Sequence, residues 1–394
     1  MELQRLAIIG AGPIGIEAAL AGRELGYDVR VYERGTVGGN VRRWGHVRLF
    51  SAFELNHSER GACLLESEGL ELPAPGQYLT GAEHIERYLE PLSRTAPLAG
   101  RIREHLRVVS VGRDGIGKGD LMGGPRDTHA FRLLLETDAG DEELAEAEVV
   151  LDCSGTYGNH NWMGNGNVPA LGERALEGRI AYELEDAGEC DGQNVLVVGD
   201  GYSAATILSR LTELSPKTVH WVARKRRPLE VIPNDPLPER KRISVLAGEL
   251  AKGADPRVRF HAGHTVESVE PEGPRFQVAL RSAEMRQHIT VDRIYAHVGF
   301  HPDNSLYREL QVHECYASTA PMKLAAALLG ESSVDCLAQT SKGADVLKNP
   351  EPNFFILGSK SYGRGSTFLI RTGLQQIEEV FGLLAGKQRK ERAS

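Results

Sequence analysis

Two hydrophobic rhythms alternate along this chain: short unbroken apolar runs, and longer stretches in which apolar residues recur every three or four positions. Leu6 to Ile9 is such a run, Pro13 to Leu25 carries the helical spacing, and Val29 to Glu33 is apolar again. Buried parallel strands read as continuous apolar runs and amphipathic helices as a 3.6-residue repeat, so the opening predicts strand, helix, strand in a right-handed βαβ unit. Val195 to Val198, a helix from about Ser203 to Leu214, and Val219 to Val222 repeat the plan. The parallel extends further. After the first unit come strand candidates at Leu106 to Val111, Phe131 to Glu136 and Val149 to Asp152. After the second come Val258 to His261, Val266 to Val269, Phe276 to Leu280 and Val291 to Val298. Each series ends at a glycine, Gly155 and Gly299.

The pattern predicts an α/β fold of two Rossmann-like dinucleotide-binding domains, the second inserted in the first. The expected boundaries are 1–170 and 293–394 for the two parts of the outer domain and 190–292 for the inner one. The first copy is longer by roughly 45 residues, much of the surplus lying between Gly38 and Pro97. That segment, helical from about Ala82 to Leu92, is expected to cover a cofactor and shape a substrate pocket, or to serve as packing and lid alone. Gly112 to Pro125, with six glycines, reads as a mobile surface loop, and Gly155 to Pro169 as a connection between domains. A last strand at Asn353 to Gly358 precedes a helix opening near Thr367, with Ser366 as a candidate cap and Ile370, Leu374, Ile377, Phe381 and Leu384 on its buried face.

At the strand-to-helix junctions stand Gly10-Ala11-Gly12-Pro13-Ile14-Gly15 and Gly199-Asp200-Gly201-Tyr202-Ser203-Ala204. A lone GxGxxG is weak, but each copy here follows a strand and opens a helix, the context the motif requires. The first glycine makes the tight turn, the second lets backbone approach a pyrophosphate, and the third allows close helix packing, a role Ala204 fills in the second copy. The helix amino end then favours phosphate. Glu33 lies 23 residues after Gly10, placed to accept hydrogen bonds from a ribose 2′-hydroxyl and to repel a 2′-phosphate. The matching place in the second copy is Arg224-Lys225-Arg226-Arg227, which suits a 2′-phosphate and so NADPH. The plainer readings are an exposed carboxylate and a solvated basic patch. Two dinucleotides are therefore expected, a flavin and a nicotinamide.

With 394 residues, 41% apolar, 25% charged and a formal net charge of -8, the chain has no global basic field, and no nucleic-acid partner is expected. No apolar stretch reaches 18 residues and Met1 to Arg5 show no signal sequence, so no membrane partner and a cytoplasmic location are expected. The five cysteines, at 63, 153, 190, 315 and 336, are at least 21 residues apart, which leaves no CxxC redox pair and no metal-site spacing.

The first fingerprint, Gly38-Gly39 followed by Trp44, the GxGxS of the second copy, Gly299-Phe300-His301-Pro302 and the final strand, loop and helix together resemble the flavoproteins with two dinucleotide-binding domains, over nearly the whole chain to about Leu384. Within them the chain is similar to the class B flavin-containing monooxygenases. The resemblance implies FAD in the first domain and NADPH in the second, with oxygen added at flavin C4a and the peroxyflavin stabilised by bound NADP. It also implies that Asn56, in Asn56-His57-Ser58, lies beside the flavin. The candidate cofactor set is then Gly10, Gly12, Pro13, Ile14, Gly15, Glu33, Arg34, Gly39, Asn40, Ser154, Gly155 and Gly358 for FAD, and Gly199, Gly201, Tyr202, Ser203, Ala204, Arg224, Lys225 and Arg226 for NADPH. Asn56 and Arg364 are the catalytic candidates. The chain departs from the family at Asp152-Cys153-Ser154-Gly155-Thr156-Tyr157, in lacking a Baeyer–Villiger signature, and at Gly358-Ser359-Lys360, where relatives carry Gly-Asp. Arg364 then falls where relatives use an acid.

The foremost expectation is an FAD-dependent, NADPH-consuming monooxygenase of a small molecule. The alternative is an NAD(P)H-dependent flavoprotein reductase passing electrons to a disulfide, quinone or other acceptor. The thioredoxin reductase-like branch shares the architecture, although its CxxC is absent. Cys153 or Cys336 could then supply a single reactive thiol, and otherwise each is a small buried hydrophobe. A third expectation is a non-catalytic redox sensor. Oligomeric state stays open between monomer and homodimer.

Overall fold

A computed structural model describes residues 3–188, 190–227, 229–329 and 342–393. It resolves into two compact units, Met1–Thr156 with His301–Ser394, and Tyr157–Phe300. The second is inserted in the chain of the first.

In the first unit, strand β1 (Arg5–Ile9), helix α1 (Pro13–Glu24) and β2 (Asp28–Tyr32) make the expected opening. Short helices α2 (Gly39–Arg43), α3 (Glu59–Ser67), α4 (Gly81–His84) and α5 (Glu90–Arg94) fill the surplus segment, the last two joined by a π-turn at Ile85–Leu89. Strand β3 (Ile102–Arg103) follows, then the antiparallel β4 (Leu106–Arg113), β5 (Phe131–Thr137) and β6 (Glu142–Ala147), then β7 (Val149–Asp152).

The inserted unit contains β8 (Asn194–Val198), α6 (Tyr202–Glu213), β9 (Thr218–Ala223), α7 (Pro238–Ala251) and β10 (Val258–Ala262). An antiparallel trio β11 (Thr265–Glu272), β12 (Arg275–Arg281) and β13 (Arg286–Val291) leads to β14 (Arg293–Ala296). The chain then returns to the first unit with α8 (Met322–Leu329), β15 (Phe354–Ile356) and α9 (Ile370–Ala393).

Each unit pairs a parallel sheet with a three-stranded antiparallel one. The parallel orders are β15-β7-β1-β2-β3 and β10-β9-β8-β14. The duplication reaches fine detail: the first strand of each antiparallel trio carries a register shift, between Val108 and Ser110 and between Val266 and Ser268. In register, Ile9 stands opposite Tyr32 and Asp152, and Asp152 opposite Ile356, so four strands finish level at one edge. Doubly wound sheets take ligands at the carboxyl ends of their strands. The predicted last strand therefore joins the first sheet, as β15.

Burial explains the packing. Helix α9 lies on α1: Ile377, Val380, Phe381 and Leu384 are core residues, and a methyl group on Gly22 would meet Leu6 Cδ2 at 2.6 Å and Phe381 Cζ at 3.4 Å. The helix begins at Ile370, with Leu369 accepting from the amides of Thr372 and Gly373, so Ser366 lies outside it and caps nothing. Among the described residues no helix is long and apolar enough to cross a membrane.

Both expected domain boundaries move. Residues 157–169 belong to the inserted unit rather than to a linker, because Met163 is buried there and its amide, with that of Ala170, is held by the buried Glu173 carboxylate. Residues 293–300 belong to it too, because β14 pairs with β8. The run predicted as one strand from Val291 turns at Asp292, whose carboxylate accepts from the Asn194 amide at 2.7 Å. The six-glycine loop is pinned rather than loose. Arg126, 1% exposed, donates to the carbonyls of Gly117 and Asp120 and shares the buried Glu351 carboxylate with Arg113.

Candidate functional site

The first fingerprint turn is built by steric necessity at two positions and left open at a third. Gly10 has φ +98° and donates to Tyr32 O at 2.8 Å, and a methyl on it would lie 2.9 Å from the carbonyl oxygen of Cys153. A methyl on Gly15 would lie 1.9 Å from the carbonyl oxygen of Gly10, so only glycine lets α1 approach β1 this closely. At Gly12 a methyl would meet nothing within 4 Å. That empty sector in front of the α1 amino end, with Pro13 at the first helical position, fits a pyrophosphate held on backbone amides. Ile14 is buried against Gly358 and Gly373, where methyl groups would come within 3.3 Å and 2.4 Å of it. It packs the helix rather than facing a ligand.

Glu33 stands at the end of β2, beside the turn. Its Oε2 accepts from the Ala11 amide at 2.7 Å and its Oε1 from the Gly35 amide at 2.9 Å. An ionised carboxylate has about four acceptor positions, so two remain for ribose hydroxyls. Gly38, at φ +67°, ties the following loop to the turn through its amide and Ala11 O, and Gly39 opens α2. Around Glu33 lies a cleft of about 710 Å³ lined by Arg34, Gly39, Asn40, Arg43 and Arg107 among others. Arg34 is exposed and reaches Asn40 Oδ1 at 3.4 Å.

At the far end of the same edge, Ser154 gives both its amide and its hydroxyl to Asp152 Oδ1, at 3.1 and 2.6 Å. Gly155 and Gly358 turn with φ of +70° and +73°. Between them sits an ion pair that sequence reasoning missed, Lys360 to Asp152 at 2.6 Å, with both side chains at most 1% exposed. A lone lysine after Gly-Ser carries no signal of burial, and only the β7–β15 pairing brings it to Asp152.

The catalytic candidates fare differently. Asn56 is 2% exposed, and its amide closes the Ser51–Asn56 loop: Nδ2 donates to Ser51 O and Ala52 O at 3.0 Å each, and Oδ1 accepts from Ser51 Oγ at 2.8 Å. Both of its N–H groups are thus engaged locally. Arg364 is exposed in the loop before α9, with its amide on Ser318 O. Nothing brings these two residues together.

Beside that loop is a second missed cluster. Glu17 on α1 is buried and accepts from the Ser58 amide, the Ser58 hydroxyl and the Tyr88 hydroxyl at 3.0, 2.6 and 2.5 Å; burial pushes its carboxyl above the usual carboxylate range, against those hydrogen bonds. His84 is 1% exposed with both ring nitrogens unpartnered, and burial lowers its pKa to about 4.

The inserted unit reproduces the turn with one difference. Gly199 donates to Val222 O at 2.9 Å, and a methyl on it would lie 2.2 Å from the His297 carbonyl oxygen. Gly201, like Gly12, has nothing within 4 Å of a methyl position. The third position tolerates alanine because Gly199 has φ +138° rather than the +98° of Gly10, and the Ala204 Cβ lies 3.3 Å from a methyl built on Gly199. Tyr202 and Ser203 begin α6. Arg224, Lys225 and Arg226 are exposed immediately after β9, the strand beside the fingerprint strand. Among the described residues none of them forms an ion pair, and Arg224 reaches only Asn167 Oδ1, at 3.3 Å. Free cationic groups at a strand end beside an open glycine turn can accept a phosphate.

The cysteines are dispersed. Cys63, Cys153, Cys190 and Cys315 are unbonded; Cys153 is buried and burial pushes its thiol far up, while Cys190 donates to Ala187 O at 3.0 Å. Cys315, which the spacing does not single out, is pulled down by hydrogen bonding from Ser318. Cys336 lies outside the described residues. Among the described residues there is no group of three or more potential metal ligands.

No protein-family model matches the chain, and no curated protein does. Among solved structures, the chain is similar to the bacillithiol disulfide reductase of Bacillus cereus, at 19% identity over 98% of this chain and 100% of that one, with TM-score 0.73. The thioredoxin reductase of Lactococcus lactis matches at 16% identity over 97% and 99%, with TM-score 0.64. An ornithine N-hydroxylase of Kutzneria sp. 744, solved with reduced FAD, NADP+ and L-ornithine, matches at 14% over 98% and 100%, with TM-score 0.65. At these identities the likeness establishes the fold: two Rossmann-type dinucleotide-binding units, one inserted in the other.

Proposed function

We propose that the chain is an FAD-dependent, NADPH-consuming oxidoreductase, with FAD in the outer unit and NADPH in the inserted one. The observation that carries this reading is the pair of fingerprint turns in which Gly12 and Gly201 face open space while Gly10, Gly15 and Gly199 are sterically required. Two ligand-approach sectors of the same design, one beside Glu33 and one beside Arg224 to Arg226, call for two dinucleotides that differ at the ribose. FAD would supply hydride acceptance and onward electron transfer. The chain's own residues hold and orient: the α1 and α6 amino ends take phosphates, Glu33 takes ribose hydroxyls, and the arginines take a 2′-phosphate. Solved structures of matching fold include flavin hydroxylases and disulfide reductases, which supports the class.

Oxygen is the acceptor we favour, with hydroxylation of a small molecule as the reaction. A dithiol relay needs paired cysteines, and the described ones are unbonded, with Cys153 held protonated by burial. The reductase reading rests on the TM-score of 0.73 to the bacillithiol disulfide reductase. Oxygen uptake and peroxide release during NADPH oxidation separate the two. NADPH oxidation at equal rate with and without oxygen, in the presence of a disulfide or quinone, would establish the reductase instead.

A further inference from the structure

The buried pair Lys360–Asp152 has no part in the reading above. An ion pair this deep loses more in desolvation than attraction returns unless its remaining donors and acceptors are satisfied. Here they are. Lys360 Nζ donates to Asp152 Oδ2 at 2.6 Å and to Ser154 Oγ at 3.1 Å, and lies 5.2 Å from the centroid of the Tyr307 ring. Asp152 Oδ1 takes the amide and hydroxyl of Ser154. One lysine thus fastens the turn after β7 to the turn after β15.

An apolar pair would join two strand ends at least as firmly. What the charged pair adds is fixed orientation at both turns. Strand order gives those turns a place along the ligand: Glu33 at the end of β2 takes the ribose, the β1 turn takes the pyrophosphate, and the next strands along the edge are β7 and β15. On the FAD reading, the remainder of the cofactor runs over Ser154-Gly155 and Gly358-Ser359. A methyl on Gly155 would come 3.3 Å from Ser359 Oγ, so the two turns meet across a narrow gap.

We propose that Lys360, through Asp152 and Ser154, is a positioning residue for FAD, setting the spacing of the two glycine turns that seat the cofactor beyond its pyrophosphate. The test compares the full-length protein with Lys360→Met and with the double variant Asp152→Asn, Lys360→Met. The single variant strands a buried carboxylate and is expected to lose thermal stability as well as FAD. The double variant removes both charges at similar volume, so its melting temperature should return to that of the wild type. FAD affinity should not return. We expect at least tenfold weaker binding by fluorescence quenching, and an altered visible circular dichroism of the bound flavin. A double variant with wild-type FAD affinity and flavin dichroism would overturn the proposal and reduce the pair to a structural brace. A wild-type protein that takes up no FAD would instead overturn the reading of the site on which this inference rests.

Discussion

Gly12→Val separates the fold from the ligand at a single atom position. Gly12 has φ -76° and ψ -177°, extended backbone that valine adopts without strain, and its Cβ would meet nothing within 4 Å. The cost to the fold is that of exchanging a helix N-cap glycine for a β-branched residue, about 1 kcal/mol, or roughly 2–4 °C in melting temperature for a unit of this size. The cost to the ligand is far larger, because the side chain fills the sector through which phosphate reaches the α1 amides. Losing two charge-assisted hydrogen bonds at about 1.5–3 kcal/mol each weakens FAD by roughly 10²- to 10⁴-fold. Gly15→Ala is the opposite control. Its methyl would sit 1.9 Å from the Gly10 carbonyl oxygen, so the strain falls on the fold, at about 1–3 kcal/mol or more. Thermal melts of the FAD-stripped proteins and FAD titration by fluorescence quenching read the two effects separately. A Gly12→Val protein with wild-type FAD affinity would refute the placement of the pyrophosphate.

Replacing Arg224 and Arg226 by alanine should erode the preference for NADPH over NADH at least tenfold in kcat/KM, while FAD content stays constant. Glu351→Ala leaves the buried Arg113 and Arg126 guanidiniums without their shared carboxylate and should cost about 3–5 kcal/mol by urea denaturation. His84 gives a pH signature. Its folded pKa of about 4 lies below the ordinary 6.5, so its contribution is fully present above pH 6.5 and is lost as pH falls toward 4, by roughly 3 kcal/mol at the limit. His84→Phe should therefore be less acid-sensitive than the wild type across that window, and parallel stability curves would contradict the assignment.

The fingerprints, the strand order they imply and the final strand were legible because each is a local pattern: an apolar run, a glycine turn, a helical repeat. What stayed hidden depends on pairing between distant segments. Nothing in Glu142–Ala147, rich in glutamate and alanine, signals a strand; it becomes β6 only by lying against β5. The boundary at 170 was drawn from glycine and asparagine content, whereas the chain changes units at Thr156 because Met163 is buried against the inserted unit. Lys360, Glu17 and Arg126 look like surface charges in the sequence. Their burial follows from partners 208, 71 and 225 residues away in the chain. Asn56 shows the converse: its motif is readable, yet its amide is spent closing its own loop. The third fingerprint position is an intermediate case, since only the backbone angle at Gly199 explains why Ala204 fits.

The most direct test of the central claim is an anaerobic titration of the purified, FAD-loaded protein with NADPH, followed by flavin absorbance and repeated with NADH. The account predicts one FAD per chain, bleached by one equivalent of NADPH and at least tenfold more slowly by NADH at equal subsaturating concentration. A protein that takes up no FAD, or whose bound flavin neither nucleotide bleaches, would contradict it.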